Sequence, residues 1–426
     1  MFKKILSLVL VLALAAALCV GFASCGGNNN DEKLGMSESP LPIPAVEADF
    51  EVGDDFKIGF ICLHDTTSTY DKNFIEAAKR YQAGLGLSDD QVIIVTDIPE
   101  TEACYNAAVD LVSRGCDIIF ANSFGHENFI LQAAREYPDV QFCHATGNQA
   151  ATAGVANFHN AFASIYEGRY LAGIAAGLKL NEMIAEGVIT AEQAKIGYVG
   201  AYTYAEVISG YSSFYLGAKS VCPSVTMEVQ FTGSWFDVNE EQNAAEALIA
   251  RKCVLISQHA DSMGAPGACE AAGIPNISYN GSTYEACKNS FIVSSAINWT
   301  PYYTYITKCV VEGTAIDADW CGGIAEGSVV LSGINLDVAA EGTVDAISTA
   351  IAGFKAGTLN VFDTTKFTVT YRDSEGNVTS TGNTITSKVV NGEEIVVNGI
   401  FNESDAISAP YFDYEIDGIT RLNAKY

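Results

Sequence analysis

The sequence feature that most constrains the fold is a repeated alternation of short apolar runs with amphipathic segments. Four apolar runs come first, at Phe56–Leu63, Gln91–Ile98, Asp117–Asn122 and Val140–His144. Each ends in a polar turn, and the segments between them carry apolar residues at the three- and four-residue spacing of a helix. Strands that alternate with helices form βαβ units, whose right-handed connections build a parallel sheet. The pattern therefore predicts an α/β fold in which the polar turns lie at one edge of the sheet.

The same pattern begins again in the second half of the chain. Lys195–Gly200 repeats the sequence character of Lys57–Phe60, and further strands and helices alternate after it. Before this point, a helix that runs to about Leu180 is rich in Ala and Gly, which favours close packing on another helix. A chain of 426 residues is long for one hydrophobic core and suits two lobes.

These observations predict a division of the chain. We expect two Rossmann-like lobes with parallel sheets, residues 51–162 and 163–298, with a ligand cleft between them. Residues 299–360 should return to the first lobe and supply crossing segments. Residues 361–426 are rich in Thr and Val and contain two Asn-Gly pairs, which are typical of hairpin turns, so they predict a β-rich extension.

The N-terminus predicts export. Two lysines precede the apolar run Ile5–Val20, which is too short for a comfortable membrane span. Small residues and then Cys25 follow, an arrangement that resembles the bacterial lipobox. We expect residues 1–24 to be a lipoprotein signal peptide, Cys25 to carry the lipid anchor, and residues 25–50 to form a flexible tether. Ordinary secretion with cleavage nearby is the alternative.

Composition argues against several functions. The net charge of −28, without a cluster of Lys and Arg, argues against nucleic acid as a partner. Ten cysteines follow Cys25 without a C-x-x-C pair, so no metal site is expected. We favour mostly free buried thiols, with disulfides as the alternative. The phosphate-binding loop, zinc-protease and serine-hydrolase motifs are absent, and we expect neither an enzyme nor a cofactor.

Polar and aromatic residues collect where the predicted strands end. The four main clusters are His64–Asp71, Asn122–Glu127, Ser234–Asp237 and Gln258–Ser262, and a weaker fifth joins Asn280–Ser282 to Asn298 and Trp299. Ligands of open α/β sheets bind beyond the carboxyl ends of the strands, so these clusters should face each other across the cleft. Carboxylates and amides suit hydroxyls and ring nitrogens, and aromatic faces suit a flat ring. A neutral polar ligand with a planar group is therefore expected.

One cluster leaves an enzymatic alternative open. Gln258–Ser262 contains Ser, His and Asp, which are the components of a hydrolase. Neighbouring residues of a strand point to opposite faces, so a local triad is not favoured. An exported hydrolase that uses His259 with Asp261 remains the less favoured hypothesis.

The following motifs occur in order between about residues 56 and 335: Asp71–Phe74, Ile119–Glu127 with Glu136–Val140, Tyr166–Gly173, Gly233–Asp237 and Gln258–Ser262. Together they resemble the motifs of the basic membrane protein (PnrA-like) family of ABC-transporter substrate-binding lipoproteins. The resemblance implies a type I periplasmic-binding fold whose two lobes close on the ligand. It also implies an ABC permease as partner and, as in many characterised members, a purine nucleoside as ligand.

The strand-end clusters and the resemblance together imply a set of ligand-binding residues. The set is Asp71, Phe74, Asn122, Phe124, Glu127, Trp235, Phe236, Asp261 and Asn298. By resemblance, Trp235 or Phe236 stacks on the ligand and Asp261 holds the ribose hydroxyls. Three positions differ from the family pattern: Ile75 stands for an Asn, Glu127 for an Asp and Asn298 for a Lys. The identity of the ligand therefore stays open at this stage.

The leading hypothesis is an extracytoplasmic solute-binding lipoprotein of an ABC importer, anchored to the cell membrane through Cys25. It would act as a monomer that captures a small polar ligand, by resemblance a purine nucleoside, and delivers it to a membrane permease. A receptor lipoprotein of the same fold, which signals to a partner instead of feeding transport, is the alternative.

Overall fold

The computed structural model describes residues 34–373 and 377–426. The predicted signal peptide, the lipidation site Cys25 and the first part of the predicted tether lie outside the described residues. None of the helices in these two ranges has the length and apolarity that a membrane span requires.

The first lobe alternates strands and helices as the sequence predicts. Its elements are β1 (Ile58–Ile61), α1 (Thr69–Leu85), β2 (Val92–Val95), α2 (Glu102–Ser113), β3 (Ile118–Ala121), a 3₁₀ turn (Phe124–His126), α3 (Glu127–Glu136), β4 (Gln141–Ala145), α4 (Ala150–Ala153) and β5 (Phe158–Ala163). The sheet is parallel and has the order β11-β5-β4-β3-β1-β2, in which β11 (Asp319–Gly322) comes from later in the chain. The central strands β1 and β3 are buried at every position, as expected for strands covered on both faces.

The second lobe repeats this architecture. Its elements are α5 (Ile165–Ala185), a 3₁₀ turn (Ala191–Gln193), β6 (Lys195–Gly200), α6 (Ala205–Val221), β7 (Thr226–Phe231), α7 (Val238–Ala250), β8 (Leu255–His259), α8 (Gly264–Ala272), β9 (Asn276–Tyr279) and β10 (Phe291–Ile297). The sheet order is β12-β10-β9-β8-β6-β7-β20, with β12 (Val329–Leu331) antiparallel to β10 and β20 (Ile419–Arg421) parallel to β7. The predicted α/β fold with two lobes is confirmed.

Three segments connect the lobes within residues 34–373. β5 leads into α5, β10 leads into α9 (Thr300–Glu312), and β11 leads into β12. α9 packs on α1 and so returns to the first lobe, as expected. β12 and α10 (Thr343–Lys355) instead lie in the second lobe, where β12 pairs with β10 and α10 packs on α5. The expectation that residues 299–360 return to the first lobe is therefore corrected for β12 and α10. The physical reason is that β10 has an open edge in the second sheet, with which β12 pairs.

The C-terminal residues form the predicted β-rich extension. Its further strands are β13 (Val369–Arg372), β14 (Val378–Asn383), β15 (Val389–Val390), β16 (Glu393–Glu394), β17 (Val396–Val397), β18 (Ile400–Phe401) and β19 (Glu415–Ile416). Asn391-Gly392 joins β15 to β16, with φ angles of 51° and 88°. Asn398-Gly399 joins β17 to β18, with φ angles of 54° and 79°. Positive φ at both residues is the geometry that two-residue hairpin turns favour, so the predicted hairpins are confirmed.

The described part of the predicted tether lies against the folded body. Leu41 is buried, and its carbonyl accepts a hydrogen bond of 2.9 Å from the backbone N–H of Leu331 in β12. Farther along, Lys308 Nζ lies 2.7 Å from Asp49 Oδ1. The structure therefore differs from the expected flexible tether over residues 35–50, because Leu41 packs into the hydrophobic core and the backbone pairs with the edge of the second sheet.

The ten cysteines of the described residues are free thiols, and all except Cys321 are buried. Burial raises the pKa of Cys143 to about 12. Such thiols stay protonated and pack as small apolar side chains.

Candidate functional site

A cavity lies between the two lobes. From the first lobe it is lined by Leu63, His64, Tyr70, Asp71, Ser123, Phe124 and Thr146. From the second lobe it is lined by Glu206, Trp235, His259, Asp261 and Asn280. These residues end or follow strands of the two sheets, or lie in the first turns of α1 and α6. The cavity thus lies beyond the carboxyl ends of both parallel sheets, where ligands of such sheets bind.

In the first lobe, a fixed carboxylate faces the cavity. Ser68 caps α1 by accepting a hydrogen bond from the backbone N–H of Asp71. Asp71 Oδ1 accepts hydrogen bonds from the backbone N–H of His64 (3.1 Å) and from Asn122 Nδ2 (2.7 Å). Burial raises the pKa of Asp71, and the hydrogen bond from Asn122 opposes that shift. Asn122 itself is fully buried and holds Asp71 from outside the cavity.

In the second lobe, Asp261 lines the cavity and also joins the two lobes. Its carbonyl oxygen accepts hydrogen bonds from the backbone N–H of Thr69 (2.9 Å) and from Thr69 Oγ1 (3.2 Å). Its carboxylate lies 3.4 Å from Asn280 Nδ2. Burial, together with the neighbouring charges of Glu241 and Asp71, holds the pKa of Asp261 well above its ordinary range. The lobes are therefore in contact beside the cavity, as in a closed binding protein.

Aromatic rings from both lobes meet beside the cavity. Phe124 of the first lobe stacks on Tyr204 of the second, with ring centroids 5.5 Å apart. Tyr204 stacks on Tyr202 at 5.1 Å, and Trp235 meets Tyr202 edge to face at 5.2 Å. Phe124 nevertheless remains 46% exposed, so part of its ring is not covered by protein. Faces of this kind suit stacking on a planar ligand.

Buried His259 and half-buried Glu206 form a polar pair in the second lobe. His259 Nε2 lies 3.5 Å from Glu206 Oε1, and the imidazole packs on Tyr279 with ring centroids 4.5 Å apart. Burial lowers the pKa of His259, and the hydrogen bond with Glu206 opposes that shift. His259 has no hydrogen bond to Asp261 or Ser262 among the described residues, so this segment does not assemble the hydrolase triad considered above.

The structure divides the predicted ligand-binding residues into two groups. Asp71, Phe124, Trp235 and Asp261 line the cavity, whereas the other five do not. The latter are Phe74, Asn122, Glu127, Phe236 and Asn298. Each of the five is engaged by other parts of the protein, and a direct contact of these five with the ligand stays a prediction.

Phe74 and Asn298 lie in the interior of the protein. Phe74 is 1% exposed and stacks on Trp299 at 4.5 Å within the core of the first lobe. Asn298 Nδ2 donates to Gly327 O at 3.0 Å, and Asn298 Oδ1 accepts from Thr300 Oγ1 at 2.9 Å. Asn298 therefore ties together two crossing segments instead of contacting the cavity.

Glu127 and Phe236 lie near the cavity without lining it. Glu127 Oε1 accepts hydrogen bonds from the backbone N–H groups of Asn148 (2.7 Å) and Gln149 (2.9 Å). It thereby holds the turn that follows β4. Phe236 packs on His64 across the two lobes, with ring centroids 5.3 Å apart.

Three lining residues lie outside the predicted clusters: Leu63, which directly precedes the first cluster, Thr146 and Glu206. Thr146 follows β4 with a φ angle of 67°, an unusual conformation for a β-branched residue. Glu206 lies in the first turn of α6, directly after the turn that follows β6. Both positions obey the strand-end rule that located the other clusters, so applying that rule to β4 and β6 would have found them.

Comparison with known proteins places this architecture in a family. The family model for PnrA-like ABC transporter substrate-binding proteins matches residues 68–349. A purine-binding protein of Brucella abortus is 30% identical over 282 residues, which are 66% of this chain and 75% of that protein. A putative ABC transporter glucose-binding protein of Haloferax volcanii is 34% identical over 216 residues, which are 50% of this chain and 51% of that protein.

Solved structures share the fold. A solute-binding protein of an ABC transporter system from Conexibacter woesei superimposes with a TM-score of 0.59 at 21% identity, over 72% of this chain and 98% of that one. At this identity the likeness shows the fold alone, and the expected periplasmic-binding architecture is confirmed.

Proposed function

The chain belongs to the PnrA-like family of ABC transporter substrate-binding proteins, and we propose that it captures a purine nucleoside for import. Proteins of this family bind small-molecule solutes outside the cytoplasm and deliver them to ABC permeases; they are solute-binding proteins and not a class of enzymes. For this chain we propose three further properties: a purine nucleoside as the ligand, a lipid anchor and a monomeric state.

The observation that carries the proposal is the cavity enclosed by both lobes. Phe124 and Trp235 offer aromatic faces for a planar base, and Asp71 and Asp261 offer carboxylate oxygens for sugar hydroxyls. The Brucella relative is named a purine-binding protein, which agrees with a planar nitrogen base.

Closure of the lobes would trap the ligand. Thr69 of the first lobe donates two hydrogen bonds to the carbonyl of Asp261 in the second, and Phe124 stacks on Tyr204 across the same boundary. These contacts exist only when the lobes are together. A ligand that touches both walls therefore shifts the population toward the closed form.

A thermal-shift panel tests the ligand. A nucleoside that binds only the folded protein stabilises it by about 2.7 kcal/mol at a hundred times its Kd, so the melting temperature should rise. The panel compares purine nucleosides with glucose and amino acids, and glucose matters because of the name of the Haloferax relative. Stabilisation by a purine nucleoside is expected. Stabilisation by glucose or an amino acid, with none by any nucleoside, would contradict the purine ligand.

The lipid anchor rests on the N-terminal sequence alone. The apolar run followed by Cys25 motivates it. We expect the protein to fractionate with membranes and the Cys25→Ser variant to be released. Equal membrane association of the two proteins would contradict lipidation at this residue.

A further inference from the structure

The last part of the C-terminal extension, residues 419–425, reaches the turns that carry aromatic rings of the cavity, and we call it the tail segment. Its strand β20 pairs with β7 from Ile419 to Arg421 and covers the edge of the second sheet. Covering an edge strand is a structural role. Beyond β20, however, the tail segment passes the carboxyl end of β7 and bonds to the turn that follows β6. Those contacts do not serve to cover the edge.

Asn423 takes the place of a paired strand at the end of β7. Its Oδ1 accepts a hydrogen bond of 2.7 Å from the backbone N–H of Phe231, and its Nδ2 donates to the Phe231 carbonyl at 2.8 Å. One side chain therefore satisfies both backbone groups of the last residue of β7. It fixes the point at which the turn toward Trp235 begins.

Lys425 binds the turn that follows β6 through its backbone. Its N–H donates to Thr203 Oγ1 at 2.9 Å, and its carbonyl accepts a hydrogen bond of 2.7 Å from the Thr203 N–H. Thr203 is buried and lies between Tyr202 and Tyr204 in the chain. The Lys425 side chain also covers the turn that follows β7, because a Cβ added at Gly233 would lie 3.2 Å from its Cδ. The tail segment thus contacts both turns.

These two turns form part of the cavity wall. Tyr202 and Tyr204 stack on each other, and their ring centroids lie 5.2 and 6.1 Å from that of Trp235. The carbonyl of Trp235 accepts a hydrogen bond of 2.9 Å from the backbone N–H of Asp261. Trp235 and Asp261 both line the cavity. A shift of the turns would therefore move an aromatic face and a carboxylate together.

We propose that Thr203 is a positioning residue of the ligand site, through which the tail segment holds the two turns in the conformation that forms the cavity. The inference rests on the proposed function, because it takes this cavity as the ligand site. The tail segment lies outside residues 68–349, which the family model matches. Turns that are held before the ligand arrives do not have to be ordered on binding, so the tail segment raises the affinity.

Thr203→Val tests the effect on binding. Valine keeps the shape of the side chain and removes the acceptor for the Lys425 N–H. Loss of a neutral hydrogen bond corresponds to roughly two- to tenfold in an equilibrium constant. Only protein with correctly formed turns binds the ligand, so calorimetric titration should show guanosine affinity lower by about that factor.

Two further variants are the controls for this titration. Thr203→Ser keeps the hydroxyl and should bind guanosine as the wild type does. Thr420→Val makes the same change at an exposed position of β20 and should also leave the affinity unchanged. Equal affinity of Thr203→Val and Thr420→Val would overturn the role of Thr203 in binding.

Hydrogen exchange of the ligand-free protein tests the positioning without any ligand. The backbone N–H groups of Ala201, Thr232 and Gly233 donate hydrogen bonds at the start of the two turns. In Thr203→Val they should exchange about two- to tenfold faster than in the wild type. The N–H groups of β9 (Asn276–Tyr279), in the same sheet, should exchange at an unchanged rate. Unchanged exchange in the turns, or equal acceleration in β9, would overturn the inference.

Titration and exchange together separate this inference from the nucleoside function. Faster exchange in the turns with weaker guanosine binding supports both. Faster exchange with unchanged guanosine affinity would overturn the positioning role and leave the nucleoside function standing. If the wild type binds no purine nucleoside, the nucleoside function fails, and the exchange rates alone decide whether the tail segment holds the turns.

Discussion

At the scale of single residues, the cavity depends on side chains that do not line it. Asn122 donates to Asp71 Oδ1 and accepts a hydrogen bond of 3.1 Å from the backbone N–H of Leu63. It therefore fixes one lining carboxylate and one lining turn together. A buried residue with this geometry supports the lining residues without lining the cavity itself.

The Asn122→Ala variant tests this support. The change removes a hydrogen bond to a charged group, so we expect the free energy of unfolding to fall by about 1.5–3 kcal/mol and ligand affinity to weaken. Urea unfolding and calorimetric titration measure the two effects. Asn106→Ala, on the exposed surface of α2, is the matched control. Equal behaviour of the two variants would show that the Asn122–Asp71 pair contributes little.

The sequence located some site residues better than others, and helix geometry explains why. Asp71 begins α1 beside the cavity, whereas Phe74 lies three residues farther along the helix. Each residue advances a helix by about 1.5 Å, so Phe74 lies about 4.5 Å deeper and joins the core. The motif indicated both residues, but only tertiary packing decides which one lines the cavity. Thr146 was missed because its position at the cavity comes with an unusual backbone conformation, a positive φ angle, which cannot be predicted from amino-acid composition.

At the scale of elements, the contact between α5 and α6 holds the second lobe together. A Cβ atom added at Gly217 would lie 2.0 Å from the carbonyl oxygen of Tyr170, and one at Gly173 would lie 2.0 Å from that of Phe214. The helices thus touch backbone to backbone. The Ala- and Gly-rich sequence of α5 predicted close packing, and the structure confirms it.

Gly217→Ala tests this contact. The added methyl group must push the helices apart, so we expect a loss of about 1–3 kcal/mol in the free energy of unfolding. Gly267→Ala in α8 is the matched control, because nothing lies within 4 Å of its added Cβ. In that open position alanine should stabilise the helix by about 0.5–1 kcal/mol. Denaturant unfolding of both variants measures the difference, and similar effects at the two sites would contradict the close packing.

Strands and helices could be predicted where the local sequence pattern determines them. The lobe to which an element belongs was harder to predict, because that depends on which strand it pairs with. The run Phe56–Leu63 contains β1, and the Asn-Gly pairs form hairpin turns. β12 and α10 were assigned to the wrong lobe because their sequences do not say which sheet edge is open. Residues 35–50 were predicted to be a tether because they contain three prolines and many polar residues. That composition gives no sign that Leu41 is buried against the folded body.

At the scale of the whole molecule, the C-terminal extension forms hydrogen bonds with both lobes. It lies beyond the region that the family model matches. The backbone N–H of Ser408 donates to Asp319 Oδ2 of β11 at 2.6 Å, in the first lobe. Glu403 accepts a hydrogen bond of 2.6 Å from Ser209 Oγ of α6, in the second lobe. The extension therefore couples the stability of the two lobes.

Glu403 should make that stability depend on pH. Burial raises its pKa to about 7, against about 4.3 in an unfolded chain. The folded protein therefore holds a proton that the unfolded chain has lost, so this contribution to stability is present below about pH 4 and lost as pH rises toward 7. Between pH 4 and pH 7, the free energy of unfolding of the Glu403→Gln variant should fall by on the order of 2–3 kcal/mol less than that of the wild type.

Denaturant unfolding between pH 4 and pH 7 measures the effect. Glu393→Gln, in the exposed strand β16 of the same extension, is the control and should follow the wild type. Glu167 and Glu241, whose pKa values are also raised to about 7 by burial, are unchanged in both variants and contribute equally. Parallel pH profiles for the Glu403→Gln variant and the wild type would contradict the assignment.

The most direct test of the account is a crystal structure of the protein with guanosine. We expect the nucleoside in the cavity between the lobes, with its base beside Phe124 and Trp235 and its sugar hydroxyls on Asp261. The contact between Thr69 and Asp261 should be present. A nucleoside bound outside this cavity, or one that makes no contact with Phe124, Trp235 or Asp261, would contradict the central claim.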